Sequence, residues 1–164
     1  MKSQIILCSG GARSGKSEFA ERLALATAGR KAYVATGQAF DEEMIDRIKK
    51  HQERRGEIWN NFEVPLHLAK EWQNISQSAD VILIDCLTMF TTNHMMAHGS
   101  IQGQQDANQL EATVLTELET LLASIKSCEG KTVIFVTNEI GLGIVPDNKL
   151  ARYFRDIAGR VNRT

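Results

Sequence analysis

The sequence predicts an α/β fold, a mostly parallel sheet flanked by helices, from two observations. Four short runs rich in Ile and Val are mostly uninterrupted by polar residues, as in strands covered on both faces. Stretches of helical apolar spacing alternate with them, the order expected of a doubly wound sheet with right-handed crossovers. The 164 residues fit one domain spanning 1–164, with a core that needs neither disulfide nor structural metal.

In chain order, "QIILCS" (4–9) is the first strand, and the helix over 16–28 carries Phe19, Leu23 and Ala26 on one face. "KAYVAT" (31–36) is the second strand, a helix follows over 41–55, and "NFEV" (61–64) is a candidate short strand. A helix over 66–77 then precedes the strand "DVILID" (80–85) and a helix over 88–98. The polar "HGSIQGQQDANQ" (98–109) reads as an exposed loop and the best candidate for a mobile segment. It leads into a helix over 106–126 whose apolar stripe is Leu110, Val114, Leu118, Leu121 and Leu122. "KTVIFVT" (131–137) is the last strand of the four. The closing helix, 147–162, is expected to bury Leu150, Phe154, Ile157 and Val161, leaving Arg152, Arg155 and Arg160 for a ligand or a neighbouring subunit, or as plain surface charge. Gly29, Pro65, Gly99, Gly103, Gly130, Gly141, Gly143 and Pro146 fall at the junctions.

A formal net charge of −1 argues against a chain that coats nucleic acid or anionic lipid. "IILC" is too short for the core of a signal peptide, and no stretch approaches the roughly 18 apolar residues of a membrane span, so a cytoplasmic location is expected. Cys8, Cys86 and Cys128 lack C-x-x-C spacing and read as reduced thiols.

The chemistry begins at "SGGARSGKSEF" (9–19), which satisfies G-x-x-x-x-G-K-[ST]. Gly10, Gly11, Ala12, Arg13, Ser14 and Gly15 would turn backbone N–H groups onto phosphate oxygens at the start of a helix. Lys16 would reach the β and γ phosphates, and the Ser17 hydroxyl would bind Mg²⁺. Asp85, at the end of "VILID", is either the second metal-holding carboxylate or the cap of the helix that follows, and the two roles are compatible.

Four stretches carry a resemblance well beyond a bare phosphate loop: "GGARSGKS" (10–17), "YVATGQAFDEEMIDRIKKHQERRGEIW" (33–59), "IDCLTMFTTN" (84–93) and "TNEIGLGIVPDNKLARYFRDIAGRVN" (137–162). Together they resemble the bifunctional adenosylcobinamide kinase / adenosylcobinamide-phosphate guanylyltransferase family of cobalamin biosynthesis. The resemblance implies a P-loop NTPase with a RecA-like sheet, a homotrimer, and ATP and GTP as substrates beside the corrinoids adenosylcobinamide and its phosphate. It also implies two reactions: phosphorylation of the aminopropanol hydroxyl, then transfer of GMP from GTP to that phosphate through a guanylylated histidine. In this sequence that histidine is His51, after "RIKK". The resemblance further assigns guanine and ribose contacts to Thr36, Gly37, Arg54, Arg55 and Glu63. The family pattern continues through one more strand after "AGRVNRT", so a bare sheet edge is expected.

By spacing alone His51 shares a helical face with Ile48 and Met44 and fits a packed core position. Arg47, Lys49, Lys50, Arg54 and Arg55 are either phosphate-binding charge or a solvated basic face, and Glu63 either reads guanine or is a strand-end carboxylate. Asn138 and Glu139, in "NEIGLGIVP" after the last strand, lie within expected reach of substrate or metal without an assignable role. His94 and His98 have metal-pair spacing but lack a third ligand, and His67 reads as structural or exposed. Met89, Met95 and Met96 read as core. Two rival functions fit the phosphate loop: a small-metabolite kinase without guanylyl transfer, and a nucleotide-dependent switch.

Overall fold

The computed structural model describes residues 1–38 and 56–164. Among them, five strands form one all-parallel sheet: β1 (Gln4–Gly10), β2 (Lys31–Ala35), β3 (Trp59–Glu63), β4 (Val81–Asp85) and β5 (Thr132–Asn138), in spatial order β1-β5-β4-β2-β3. Five helices flank it: α1 (Lys16–Ala26), α2 (Leu68–Ser78), α3 (Leu87–His98), α4 (Gln104–Ser127) and α5 (Lys149–Arg163). The helix expected over 41–55 lies outside the described residues.

The run "VILI" of β4 is buried throughout because both faces of this central strand are covered. On one face Tyr33, Val81, Leu83, Ile134 and Val136 pack with Ala20 and Ala24 of α1. On the other, Val34, Ile82, Ile84, Val133 and Phe135 meet Trp72, Phe90, Leu110, Leu121 and Ile157 of the remaining helices. Burial of this kind stabilises by about 25 cal/mol for each Å² of apolar surface removed from water.

Five expectations are corrected. The first strand is an edge strand, and Ile5 and Leu7 are 37% and 43% exposed because no described helix covers their face. Helix α1 turns Ala20 and Ala24 inward with Leu23 half-buried, while Phe19 and Ala26 are exposed: the helix lies close to the sheet, where small side chains fit. In α5, Ile157 and Val161 are buried as expected, but Leu150 is 47% exposed and Phe154 only half-buried. The first turn of α5 follows an exposed loop and has little to pack against. Residues 104–105, expected in the loop, already belong to α4, which starts two residues before the expected 106, with Asp106 Oδ2 accepting the Gln102 N–H at 2.8 Å. Met89 and Met95 pack against the core, whereas Met96 is 57% exposed at the end of α3.

At the amino edge of the sheet one carboxylate ties the strand starts together. Asp80 accepts from the Arg30 backbone N–H and Nε at 3.1 Å each, and from Lys131 Nζ at 3.2 Å. Lys131 Nζ also donates to the carbonyls of Ser76 (2.7 Å) and Ala79 (2.8 Å). Hydrogen bonding to Arg30, then to Lys131, holds the Asp80 carboxyl far below its ordinary value. A carboxylate with a depressed folded pKa contributes stability above its unfolded value, about 3.9, and loses it as pH falls toward the folded value. Because the group is partly exposed, Asp80→Asn is expected to cost only about 1 kcal/mol at neutral pH. Urea titrations should show the difference from wild type constant from pH 5 to 7 and shrinking below about pH 4.

Candidate active site

Parallel strands deliver their last residues to one edge, so Gly10, Asn138, Asp85, Ala35 and Glu63 end side by side in the order of the sheet. The phosphate loop leaves that edge from β1. At Gly10 the backbone passes close to Ser14: a Cβ there would come 2.6 Å from Ser14 Oγ, so a larger residue would require the Ser14 side chain to turn away. Gly15, at φ 82°, takes the left-handed conformation that turns the chain into α1. Arg13 is also left-handed, at φ 56°, a conformation that costs a non-glycine residue about 1 kcal/mol.

Helix α1 starts at Lys16 with Gly15 as its N-cap and no side chain accepting from its first turn. The N–H groups of a helix start and the positive end of its dipole have the chemistry to receive an anion there. Lys16 Nζ donates to the Gly11 carbonyl at 3.1 Å, which folds the ammonium over the loop. Beside the loop an open groove of about 630 Å³ runs between β1 and α1, lined by Leu7, Cys8, Gly10, Ser14, Lys16, Phe19 and Arg22 among others.

Asp85 continues the alternation of Val81 and Leu83, so its side chain belongs to the face covered by α1. The strand β5 stands between β1 and β4, which puts the ends of β1 and β4 two steps apart, about 9.6 Å at 4.8 Å per step. That gap suits a hydrated cation and a phosphate between the loop and the carboxylate better than a direct contact. Asp85 does not cap α3: Cys86 does, its Sγ accepting from the Met89 N–H at 3.4 Å. The Asp85 carboxylate instead accepts from the Tyr33 hydroxyl at 3.1 Å on Oδ2.

Buried hydrogen bonds lock this edge from behind. Thr36 is fully buried; its N–H donates to the Asp85 carbonyl at 3.1 Å, and its hydroxyl both donates to the Cys86 carbonyl and accepts from the Cys86 N–H, each at 2.7 Å. Asn93 Nδ2 donates to the carbonyls of Thr36 (2.7 Å) and Pro65 (3.0 Å), clasping the segments after β2 and β3. Thr88 Oγ1 accepts from the Asn138 N–H at 2.8 Å, and the Glu139 N–H donates to the Gly10 carbonyl at 2.9 Å, joining β5 to the phosphate loop. The Glu139 carboxylate accepts from the Leu142 N–H at 3.1 Å and from that of Gly141, shaping a loop whose Leu142 and Ile144 are 89% and 98% exposed.

The structure thus brings together the phosphate loop, Lys16, Ser17, Thr36, Gly37 and Asp85, with Glu63 exposed at the same edge beside Ala35. His51, Arg54 and Arg55 lie outside the described residues. Arg152 and Arg160 are engaged within the chain, Arg152 Nη1 on the Pro146 carbonyl (2.8 Å) and Arg160 Nη1 on Glu111 (2.6 Å). Among the described residues no third His, Cys, Asp or Glu joins the histidine pair, and His94 is buried against Phe90 with Nε2 at 3.2 Å from the Leu66 carbonyl, burial lowering its pKa. Burial, then the neighbouring Asp85, raises the Cys86 thiol, which stays protonated and inert. Sequence reasoning missed Tyr33 and Asn93. Tyr33 was legible in principle, being the one side chain with a polar tip inside a buried strand, two residues before its end.

Comparison with known proteins adds a second line of observation. The family model described as cobinamide kinase / cobinamide phosphate guanyltransferase matches residues 6–164. The chain is 40% identical over 161 residues to the bifunctional adenosylcobalamin biosynthesis protein CobU of Escherichia coli (strain K12), covering 97% of this chain and 88% of that protein. It is 43% identical over 164 residues to the protein of the same name from Salmonella typhimurium, again 97% of this chain and 88% of that protein. The bifunctional adenosylcobalamin biosynthesis protein CobP of Pseudomonas aeruginosa is 40% identical over 150 residues, with 92% of this chain and 80% of that one aligned. A solved prototypical ATPase from the type III secretion system of pathogenic bacteria superposes with TM-score 0.63 at 14% identity, over 98% of this chain and 48% of that one. That likeness concerns the fold alone.

Lys16→Ala leaves the fold intact, because the ammonium's one hydrogen bond is to an exposed loop carbonyl. Calorimetric titration with a nucleoside triphosphate should show affinity reduced on the order of 10-fold or more, the scale of one charge-assisted phosphate contact, with an unchanged melting temperature.

Proposed function

The chain belongs to the cobinamide kinase / cobinamide phosphate guanyltransferase family, and from that premise we propose how its residues divide two reactions. In the first, a nucleoside triphosphate phosphorylates the hydroxyl of adenosylcobinamide. In the second, GMP passes from GTP to the new phosphate. The observation that carries the proposal is the phosphate loop at the uncapped start of α1, facing Asp85 across the carboxyl edge of the sheet.

In phosphoryl transfer the acceptor hydroxyl oxygen bonds to the γ-phosphorus and releases its proton to solvent as the bond to the β–γ bridging oxygen breaks, and the diphosphate leaves. The loop amides from Gly10 to Ser17 hold the phosphates, and Lys16 stabilises the charge that spreads over the γ oxygens. Ser17 and Asp85 are hard oxygen donors, and among the described residues no cluster of three His, Cys, Asp or Glu forms a protein cage. Such a sparse pair fits Mg²⁺, which keeps water and phosphate oxygens in its shell. When bound there, the ion neutralises and orients the triphosphate.

For guanylyl transfer the proposed nucleophile is His51: a neutral imidazole nitrogen bonds to the α-phosphorus, pyrophosphate leaves, and a phosphate oxygen of the acceptor then displaces the imidazole. Arg54 and Arg55 supply positive charge for the phosphates, Gly37 borders the nucleoside while the fully buried Thr36 holds that segment from behind, and Glu63 accepts from guanine N1 and N2, which adenine cannot match. A cytoplasmic homotrimer completes the proposal.

The test is incubation with Mg²⁺ and GTP labelled on the α-phosphate, without acceptor. Acid-labile label should remain on denatured protein and vanish in His51→Ala, while that variant retains kinase activity toward adenosylcobinamide. Absence of label on wild-type protein that still binds GTP would favour the simple kinase. Equal loss of both activities in a folded His51→Ala would contradict the division of roles.

A further inference from the structure

The Tyr33 hydroxyl lies 3.1 Å from Asp85 Oδ2, and the residue around it is built to hold that contact. Tyr33 is paired with Leu83 in the parallel ladder and Ala35 with Asp85, so the phenol ring reaches one diagonal step toward the carboxyl edge to meet the carboxylate. The ring is 7% exposed, packed in the cluster of Leu83, Val81 and Ala24, and set edge-on to Trp59 with centroids 6.1 Å apart at 87°. Its rotamer is therefore fixed by packing. The backbone of Asp85 is held independently by Thr36, which fastens both the Asp85 carbonyl and the following peptide.

A carboxylate held at one oxygen by a donor presents the other oxygen in a defined direction. Among the described residues Oδ1 of Asp85 accepts no hydrogen bond, while Oδ2 is committed to Tyr33. We infer that Tyr33 is a positioning residue for the divalent cation of this enzyme: by holding Asp85 Oδ2 it directs Oδ1 toward the metal and phosphate side of the gap beside α1. This inference rests on the proposed metal role of Asp85. A phenol suits the task because it donates a hydrogen bond without bringing a positive charge, whereas a lysine or arginine there would neutralise the carboxylate and compete with the cation.

Tyr33→Phe keeps the ring and deletes the single hydroxyl. The experiment is titration of full-length protein with Mn²⁺, followed by electron paramagnetic resonance, in the presence of a non-hydrolysable GTP analogue. Analogue binding in EDTA and the melting temperature are measured alongside, and both are repeated for Asp85→Asn and the double variant. The expected result is Mn²⁺ affinity weakened about 10-fold in Tyr33→Phe, the lower end for loss of a group that orients a metal ligand, with metal-free analogue affinity unchanged. In the Asp85→Asn background the second change should add nothing, since the anionic metal ligand that Tyr33 orients is gone. Wild-type Mn²⁺ affinity in Tyr33→Phe, with a loss in Asp85→Asn, would overturn the role of Tyr33 alone. Unaltered Mn²⁺ affinity in Asp85→Asn would overturn the metal reading of Asp85 and this inference with it. An equal loss of analogue affinity in EDTA, or additive losses in the double variant, would reduce Tyr33 to a packing residue.

Discussion

The constraint on which the site depends is the insertion of β5 between β1 and β4, because it sets the distance between the phosphate loop and Asp85. Parallel neighbours are spaced by their ladder hydrogen bonds, and two steps leave a gap that neither side chain closes alone. A triphosphate with its cation has the size and charge to fill it. The loop offers N–H donors and Lys16 from one side, and Asp85 offers oxygen from the other. With the ladder register Gly10 opposite Asn138 and Asp85 opposite Val136, β5 extends past Asp85, and Glu139 is joined to Gly10 in the middle of the edge.

Holding five strand ends in register at an edge where strands stop requires hydrogen bonds that the ladder no longer supplies. Thr36 and Asn93 provide them between the segments after β2, β3 and β4, and Thr88, Thr137 and Asn162 do so between α3, β5 and α5. Buried polar groups of this kind are costly when unpaired and stiff when paired. Asn93 shows both sides, for its amide nitrogen has two carbonyl partners while its Oδ1 is buried with none among the described residues. The apolar core carries most of the stability and these groups carry the geometry.

Much of the architecture was legible because its signals are local. "VILID" and "TVIFVT" read as buried strands from continuous β-branched and aliphatic runs, and Gly10, Gly15, Lys16 and Ser17 announced the phosphate loop by residue type and spacing. The misreadings share one cause. The exposure of Ile5, Leu7, Phe19 and Leu150 depends on what lies above each of them, and a local pattern says only that a face is apolar, not that another element covers it. Asp85 was open to two readings for the same reason. Its spacing permits a helix cap, and only the structure shows Cys86 in that position and Tyr33 on the carboxylate.

By itself, then, the sequence determined the described strands and most of the helices, their alternation, the phosphate-loop motif of 10–17 and the family, since each is encoded in contiguous residues or in motifs whose order is preserved. Tertiary structure decided which strand lies at the edge, which strand separates the loop from the carboxylate, and which side chains orient Asp85. These are contacts between residues 50 or more apart, such as Tyr33 with Asp85 and Thr36 with Cys86. They arise from strand order and register, which hydrophobic periodicity constrains to a face of the sheet but does not assign to a neighbour.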